Sequence, residues 1–314
     1  MIKIRKRIIA LSVIVLALVL GFCIVNVSNY YKALAETGLK STIPYGFGKD
    51  ARIIILAGQS NAEGISREEY LKKNVTPEQY ARYEKGFDNI YINDYNTTMR
   101  ESGGFVKCKA GAGAMDGHFG PELGLAEKLN ELYPGETFFI IKYAFGGTDL
   151  CNLWRSPSSG GETGQLYTGF IQYVKQSIEF LELKKYNVKI EAMCWMQGES
   201  DSINEGNAIE YESNLTNFVF DIRSELGIYA SQDGIAFVDA YISESIFWTY
   251  HRTVNAAKQA VADTSPINTV IDTISHGLTV TKEPYEEPDI AHYDSLSEIK
   301  LGHLFAEECA NFFD

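Results

Sequence analysis

Gly58-Gln59-Ser60-Asn61-Ala62 comes straight off the apolar run Ile53–Ala57, and Asp289 stands three residues before His292 near the far end of the chain. A hydroxyl, an imidazole and a carboxylate are the parts of a nucleophile, its proton acceptor and the group that orients that acceptor. Two further polar segments follow apolar runs. Phe145-Gly146-Gly147-Thr148 follows Phe138–Tyr143, and Trp195-Met196-Gln197-Gly198-Glu199-Ser200-Asp201 follows Ile190–Cys194. Paired glycines let backbone N–H groups approach a ligand closely. The N–H of Ser60 and of Gly146 or Gly147, with the side-chain amide of Gln197, can serve a developing oxyanion. The chemistry these parts suit is ester hydrolysis: Ser60 attacks, His292 moves the proton and Asp289 holds the imidazole. Asp294 is a second candidate for the acid. Gln59 and Asn61 read as substrate-contacting or supporting residues, Asn61 by fixing the turn or meeting the acyl group. Glu199 reads as a residue that orients Gln197 or helps fix the site.

These segments need elements to bring them together. Strand patterns cover Arg52–Ala57, Asn89–Asn93, Thr137–Tyr143, Val188–Met196, Ile235–Ile242 and Asn268–Ile274. Phe170, Val174, Ile178 and Leu181 recur at helical spacing, as do Tyr211, Leu215, Phe218, Ile222 and Leu226. Thr76-Pro77-Glu78-Gln79 is a helix-start pattern. The alternation predicts an α/β fold, a three-layer α/β/α sandwich with a mostly parallel sheet. Each candidate segment then sits at the C-terminal edge of that sheet, where open α/β sheets place ligands. Stretches 66–88 and 97–117 read as insertions around the site.

The N-terminus is a separate object. Lys3, Arg5, Lys6 and Arg7 precede an uncharged, almost wholly apolar run at 8–27. Twenty helical residues rise about 30 Å, enough to cross a bilayer, and the basic side predicts an N-terminus inside. The expected organisation is a hydrophobic helix in 1–27, a membrane anchor or signal segment; a tether at 28–50; and one catalytic domain at 51–314. Ala33-Leu34-Ala35 offers a cleavage site, so the alternative is secretion after cleavage near Ala35. Either way the domain is expected outside the cytoplasm.

Without the leader, 24 Lys and Arg face 41 Asp and Glu, a net charge of −17. Such a surface repels nucleic acid. Cys108, Cys151, Cys194 and Cys309 are too few for a disulfide framework in so long a chain, although one or two bridges fit an oxidising compartment. No cysteine pair has metal-ligand spacing, and no metal is expected. Among five histidines only His292 follows an Asp by three. His118, before a Gly-Pro loop, reads first as a structural residue and second as one that can line the site, His251 and His303 read as surface or helix-end residues, and His276 carries no assignment.

Taken together, Gly-Gln-Ser-Asn, the Gly-Gly-Thr turn, Trp195-Met196-Gln197-Gly198-Glu199-Ser200-Asp201 and Asp289-x-x-His292 resemble the SGNH-hydrolase superfamily, and within it the sialate O-acetylesterase and carbohydrate esterase family 6 (acetylxylan esterase-like) branch. His118-Phe119-Gly120-Pro121-Glu122-Leu123 and Leu301-Gly302-His303-Leu304-Phe305-Ala306 extend the resemblance from about residue 52 to the C-terminus. It implies an SGNH, flavodoxin-like fold and the roles given above for Ser60, Asp289 and His292. Gln197 stands where other SGNH branches carry an oxyanion-hole Asn. It also implies hydrolysis of acetyl esters on carbohydrates without a cofactor. Trp154, after the Gly-Gly-Thr turn, then stacks on a sugar face or packs in the core. Three alternatives remain: a non-catalytic glycan-binding protein on the same fold, a carbohydrate O-acetyltransferase, and an α/β-hydrolase. The last needs Gly-x-Ser-x-Gly, and Ala62 stands where that glycine belongs.

Overall fold

The computed structural model describes residues 32–313 except 34, 42 and 99–101. The chain divides into two compact units, residues 1–39 and 40–314. In the first, residues 32, 33, 35 and 36 are helical. The expected hydrophobic helix lies outside the described residues. Among the described residues, no helix is long and apolar enough to cross a membrane.

The second unit is organised around β1 (Asp50–Gly58), in which Ile53 to Ala57 are fully buried. A continuous apolar run of this kind suits a strand covered on both faces. The chain then forms α1 (Ser60–Glu63), β2 (Ser66–Arg67), α2 (Glu68–Asn74) and α3 (Pro77–Lys85). Thr76 caps α3 by accepting from the Gln79 N–H at 3.2 Å, with Pro77 in the first turn, as the sequence pattern predicts. Next come β3 (Ile90–Asn96), β4 (Val106–Lys107), β5 (His118–Phe119), α4 (Glu122–Leu132), β6 (Phe138–Ala144) and α5 (Gln165–Leu183). The remaining elements are β7 (Asn187–Met196), α6 (Glu205–Leu226), β8 (Ala236–Ala240), α7 (His251–Ala262), β9 (Asn268–Ile271) and α8 (Ser295–Ala310). The apolar faces read for α5 and α6 are buried along their whole length.

The main sheet has seven strands in the order β4-β3-β6-β1-β7-β8-β9. All neighbours are parallel except β4, which runs antiparallel on β3. After β1 the chain crosses to β3 on one side, returns inward to β6 between β3 and β1, then resumes on the other side with β7. β1 is therefore the switch point, where the adjoining loops part and leave a crevice. Gly58 is level with Ala144 of β6 and with Met196 of β7. The three turns that carry Ser60, Gly146-Gly147 and Gln197 thus leave three adjacent strands at one height. Position 58 must be glycine: its φ is +144°, and a Cβ there would lie 1.9 Å from the Met196 carbonyl oxygen.

Helices α4 and α8 cross backbone to backbone. A Cβ at Gly124 would lie 2.0 Å from the Ile299 carbonyl oxygen, and one at Gly302 would lie 2.1 Å from that of Pro121. This contact seats α8, and with it the segment before α8 that holds Asp289 and His292. The first insertion is tied to the segment just after the second, with β2 and β5 pairing as a two-stranded ribbon through Ser66–Phe119 and Arg67–His118. Cys108, Cys151, Cys194 and Cys309 are buried free thiols, with the Cys194 and Cys309 sulfurs 3.5 Å apart.

Candidate active site

Ser60 opens the one-turn helix α1 and is 8% exposed. The turn before it is tied to the β7 turn. The Gln59 N–H donates to the Met196 carbonyl at 2.9 Å, and Gln59 Oε1 accepts from the N–H groups of Gly198 (3.3 Å) and Ser200 (3.2 Å). Gln59 is therefore a tie between two turns, buried beneath the surface.

Asp289 and His292 form a pair, with Nδ1 2.6 Å from Asp289 Oδ2. The Ala291 N–H donates to the other carboxylate oxygen at 3.0 Å. The hydrogen bond to His292 holds the Asp289 carboxyl below its ordinary range, against a smaller opposing effect of burial. Asp294 does other work: it accepts from the backbone N–H groups of Lys282 and Glu283 and from the Thr279 hydroxyl, which anchors the 279–283 loop.

Asn61 brings the two ends of the polypeptide together. Its Oδ1 accepts from the Tyr293 N–H at 3.1 Å, and its Nδ2 reaches the Ala291 carbonyl at 3.5 Å. It thereby clasps the residues on both sides of His292 from the position next to Ser60. Nδ2 also donates to Glu199 Oε1 at 2.7 Å. Burial pushes the Glu199 carboxyl up, opposed by this hydrogen bond. Glu199 thus supports Asn61, the site-fixing one of its two expected roles. Among the described residues no hydrogen bond joins Ser60 Oγ to His292. Unliganded sites often show this bond long or unaligned.

One expectation about a side chain is corrected, and of the two readings of Trp154 the core one holds. Gln197 is fully buried, and its amide hydrogens are directed at Asp201 Oδ2 (2.6 Å), the Thr148 carbonyl (3.0 Å) and Gln59 Oε1 (3.2 Å). It braces the turns in place of presenting a free donor. Its partner Asp201, which also accepts from the Leu150 and Cys151 N–H groups, is pushed up to about 6 by burial. Trp154 is also fully buried, donating to Thr148 Oγ1 at 2.9 Å and packing edge-on against Trp195. A ring without exposed surface cannot stack on a sugar.

The two glycines divide. The Gly146 N–H donates to Glu63 Oε2 at 2.7 Å and to Thr97 Oγ1 at 2.9 Å. Gly147 has φ +70° and open space where a Cβ would stand. Neither its N–H nor that of Ser60 donates to an acceptor among the described residues.

Residues missed in the sequence lie just beneath. Lys142 of β6 is buried and donates to Glu122 Oε2 (2.6 Å), the Glu63 carbonyl (2.8 Å) and the Ala112 carbonyl (2.8 Å). A lysine within the apolar run Phe138–Ala144 was the available signal, since buried cations need partners. Lys142→Met is expected to cost about 3–5 kcal/mol by stranding the Glu122 carboxylate. The measurement is the shift of the urea midpoint.

A cleft of about 220 Å³ runs beside the Asp289–His292 pair, lined in part by Arg67, Tyr70, Met115 and His118. Part of its wall comes from the two insertions. A second hollow, of about 350 Å³, is lined in part by Tyr95, Tyr143, Phe145, Gly146 and Leu166.

Comparison with known proteins gives the same picture. No curated protein matches the sequence. Among solved structures, the chain is similar to a protein from Arabidopsis thaliana at 19% identity and a TM-score of 0.59, covering 84% of this chain and 100% of that one. It is similar to NanS at 16% identity and a TM-score of 0.58, covering 84% and 98%. It also resembles XAC1771, a carbohydrate acetylesterase from Xanthomonas citri, at 15% identity and a TM-score of 0.54, covering 83% of this chain and 56% of that one. At such identities the likeness concerns the fold. Residues 50–311, almost the whole second unit, match the family described as carbohydrate esterase, sialic acid-specific acetylesterase, and the chain belongs to that family of carboxylic ester hydrolases.

Proposed function

We propose that this protein hydrolyses O-acetyl esters of carbohydrates through an acyl-enzyme on Ser60, and that it does so outside the cytoplasm. The observation that carries the reading is the Asn61 clasp, which holds the Asp289–His292 pair beside the Ser60 turn. The family match supplies the ester class.

In the first half-reaction Ser60 Oγ bonds to the acetyl carbonyl carbon while its proton passes to His292 Nε2. Negative charge collects on the carbonyl oxygen, which the Ser60 and Gly147 N–H groups are free to receive. The bond to the sugar oxygen then breaks, and His292 returns the proton to that oxygen, releasing the sugar alcohol. In the second half-reaction water gives a proton to His292 and its oxygen to the acyl carbon. Acetate leaves, and Ser60 regains its proton. Asp289 keeps Nδ1 protonated and stabilises the imidazolium through both steps.

Because the proton goes to the leaving oxygen from His292, the sugar is assigned to the cleft beside that residue. Residues 1–27 serve as anchor or signal in this reading, and the acidic surface makes nucleic acid an unsuitable partner.

The test is acetate release from acetylated xylan, O-acetylated sialic acids and O-acetylated wall glycan, with the Ser60→Ala protein as blank. Release from at least one of them by the wild type, and from none by the variant, is expected. No release from any, or equal release by both proteins, overturns the reading. Acetyl transfer to an added oligosaccharide in excess of hydrolysis would replace it with a transferase.

A further inference from the structure

Glu63 lies within α1, three residues after the serine, and the mechanism above makes no use of it. Its side chain is almost fully buried, and every contact of its carboxylate is with the edge of the site. Oε1 accepts from the Thr97 N–H at 2.9 Å. Oε2 accepts from the Thr97 hydroxyl at 3.0 Å and from the Gly146 N–H at 2.7 Å. The Thr97 hydroxyl in turn receives the Gly146 N–H at 2.9 Å. This cluster borders the nucleophile: a Cβ at Gly146 would stand 2.8 Å from Glu63 Oε2 and 3.5 Å from Ser60 Cβ.

We infer that Glu63 is a positioning residue for the oxyanion hole, and that it selects Gly147, not Gly146, as the glycine donor. The inference rests on the serine-esterase reading. A charge-assisted bond of 2.7 Å holds the Gly146 amide away from any substrate oxygen. With Gly146 held at its N–H, the peptide that follows starts from an anchored atom, and its N–H is the one without a protein acceptor among the described residues. Glu63 and Ser60 share one helical turn, so the same short element sets both the nucleophile and the turn it must work with. Preorganised donors of this kind stabilise a transition state because they need no reorientation when charge develops.

An opposing effect exists. A carboxylate near a forming oxyanion repels it, so removal of the charge alone would accelerate the reaction. The geometry decides the sign. Each oxygen of Glu63 accepts a backbone N–H, so a glutamine in either amide orientation turns its NH₂ group against one of them. Glu63→Gln is therefore expected to lower kcat for acetyl-ester hydrolysis at least tenfold, with KM within about threefold of the wild type. Affinity for a phosphonate or boronate that mimics the oxyanion should fall by the same factor as kcat/KM, while affinity for the deacetylated sugar product stays unchanged. Thr97→Val, at an exposed position, keeps the backbone N–H and removes the hydroxyl, and should lower kcat in the same direction by a smaller factor. In protein labelled with ¹⁵N-glycine, phosphonate binding should move the Gly147 amide resonance and leave that of Gly146 nearly in place.

The inference fails if folded Glu63→Gln and Thr97→Val proteins both keep kcat within twofold of the wild type or exceed it. It also fails if inhibitor and product affinities fall together, or if the Gly146 amide is the one that responds. A wild-type protein with no Ser60-dependent esterase activity would instead remove the underlying reading.

Discussion

Alanine at position 60 is expected to lower kcat for acetyl-ester hydrolysis by about 10⁴- to 10⁶-fold. The magnitude follows from what the hydroxyl alone can do. Without Oγ there is no covalent intermediate, and the surviving rate comes only from water attacking an ester held against the oxyanion donors. The same substitution should hardly change the fold, because Ser60 Oγ makes no hydrogen bond to any described residue. A melting temperature close to that of the wild type, measured beside the lost activity, separates a chemical effect from a structural one. Mass spectrometry adds a second check: an acetylated peptide containing position 60 should appear in rapidly quenched wild-type reactions and be missing from the variant.

Asp289→Asn is the second large effect, about 10²- to 10⁴-fold in kcat. The upper figure is the loss seen when a triad carboxylate becomes an amide and the imidazole is left in the wrong tautomer. The lower end allows for solvent: the Asp289 side chain is 41% exposed, so water can partly replace it at Nδ1. The pH dependence has a definite sign. The hydrogen bond from His292 holds the Asp289 carboxyl below its ordinary range, so it stays ionised through the interval in which an imidazole titrates. Its pairing adds stability that is fully present above the unfolded carboxyl's pKa and is lost as pH falls through the lowered folded value. The wild type should therefore lose more stability than Asp289→Asn between neutral and strongly acidic pH, as read by thermal melts across that range. Equal losses in the two proteins would show that the pair contributes nothing to the folded state.

Much of this was legible in the sequence because the site is built at strand ends. Ile53–Ala57 and Phe138–Tyr143 are apolar runs too long to be exposed and too short for helices. A polar segment that follows such a run is therefore at a sheet edge. That reasoning located the Ser60, Gly146-Gly147 and Gln197 turns. It could not order the strands, since nothing in the individual runs says that β6 and β7 flank β1. Side-chain direction was equally out of reach. Trp154 and Gln197 are types that can face a ligand or support a turn, and only their packed neighbours distinguish the two. Glu63 and Lys142 were passed over because a charge beside a motif reads as a solvated face until its burial is known. Asn61 stands in the motif without a readable role there, as its partners Glu199, Ala291 and Tyr293 are distant in sequence.

The glycine-to-glycine crossing of α4 and α8 has a consequence for when activity begins. In the mechanism proposed above, the imidazole is seated beside Ser60 by α8, so hydrolysis would begin only once α8 has docked against α4. A fluorogenic acetate ester becomes a reporter of the last packing event, and residue 124 or 302 is where a single added methyl group would delay that signal without touching the reacting atoms.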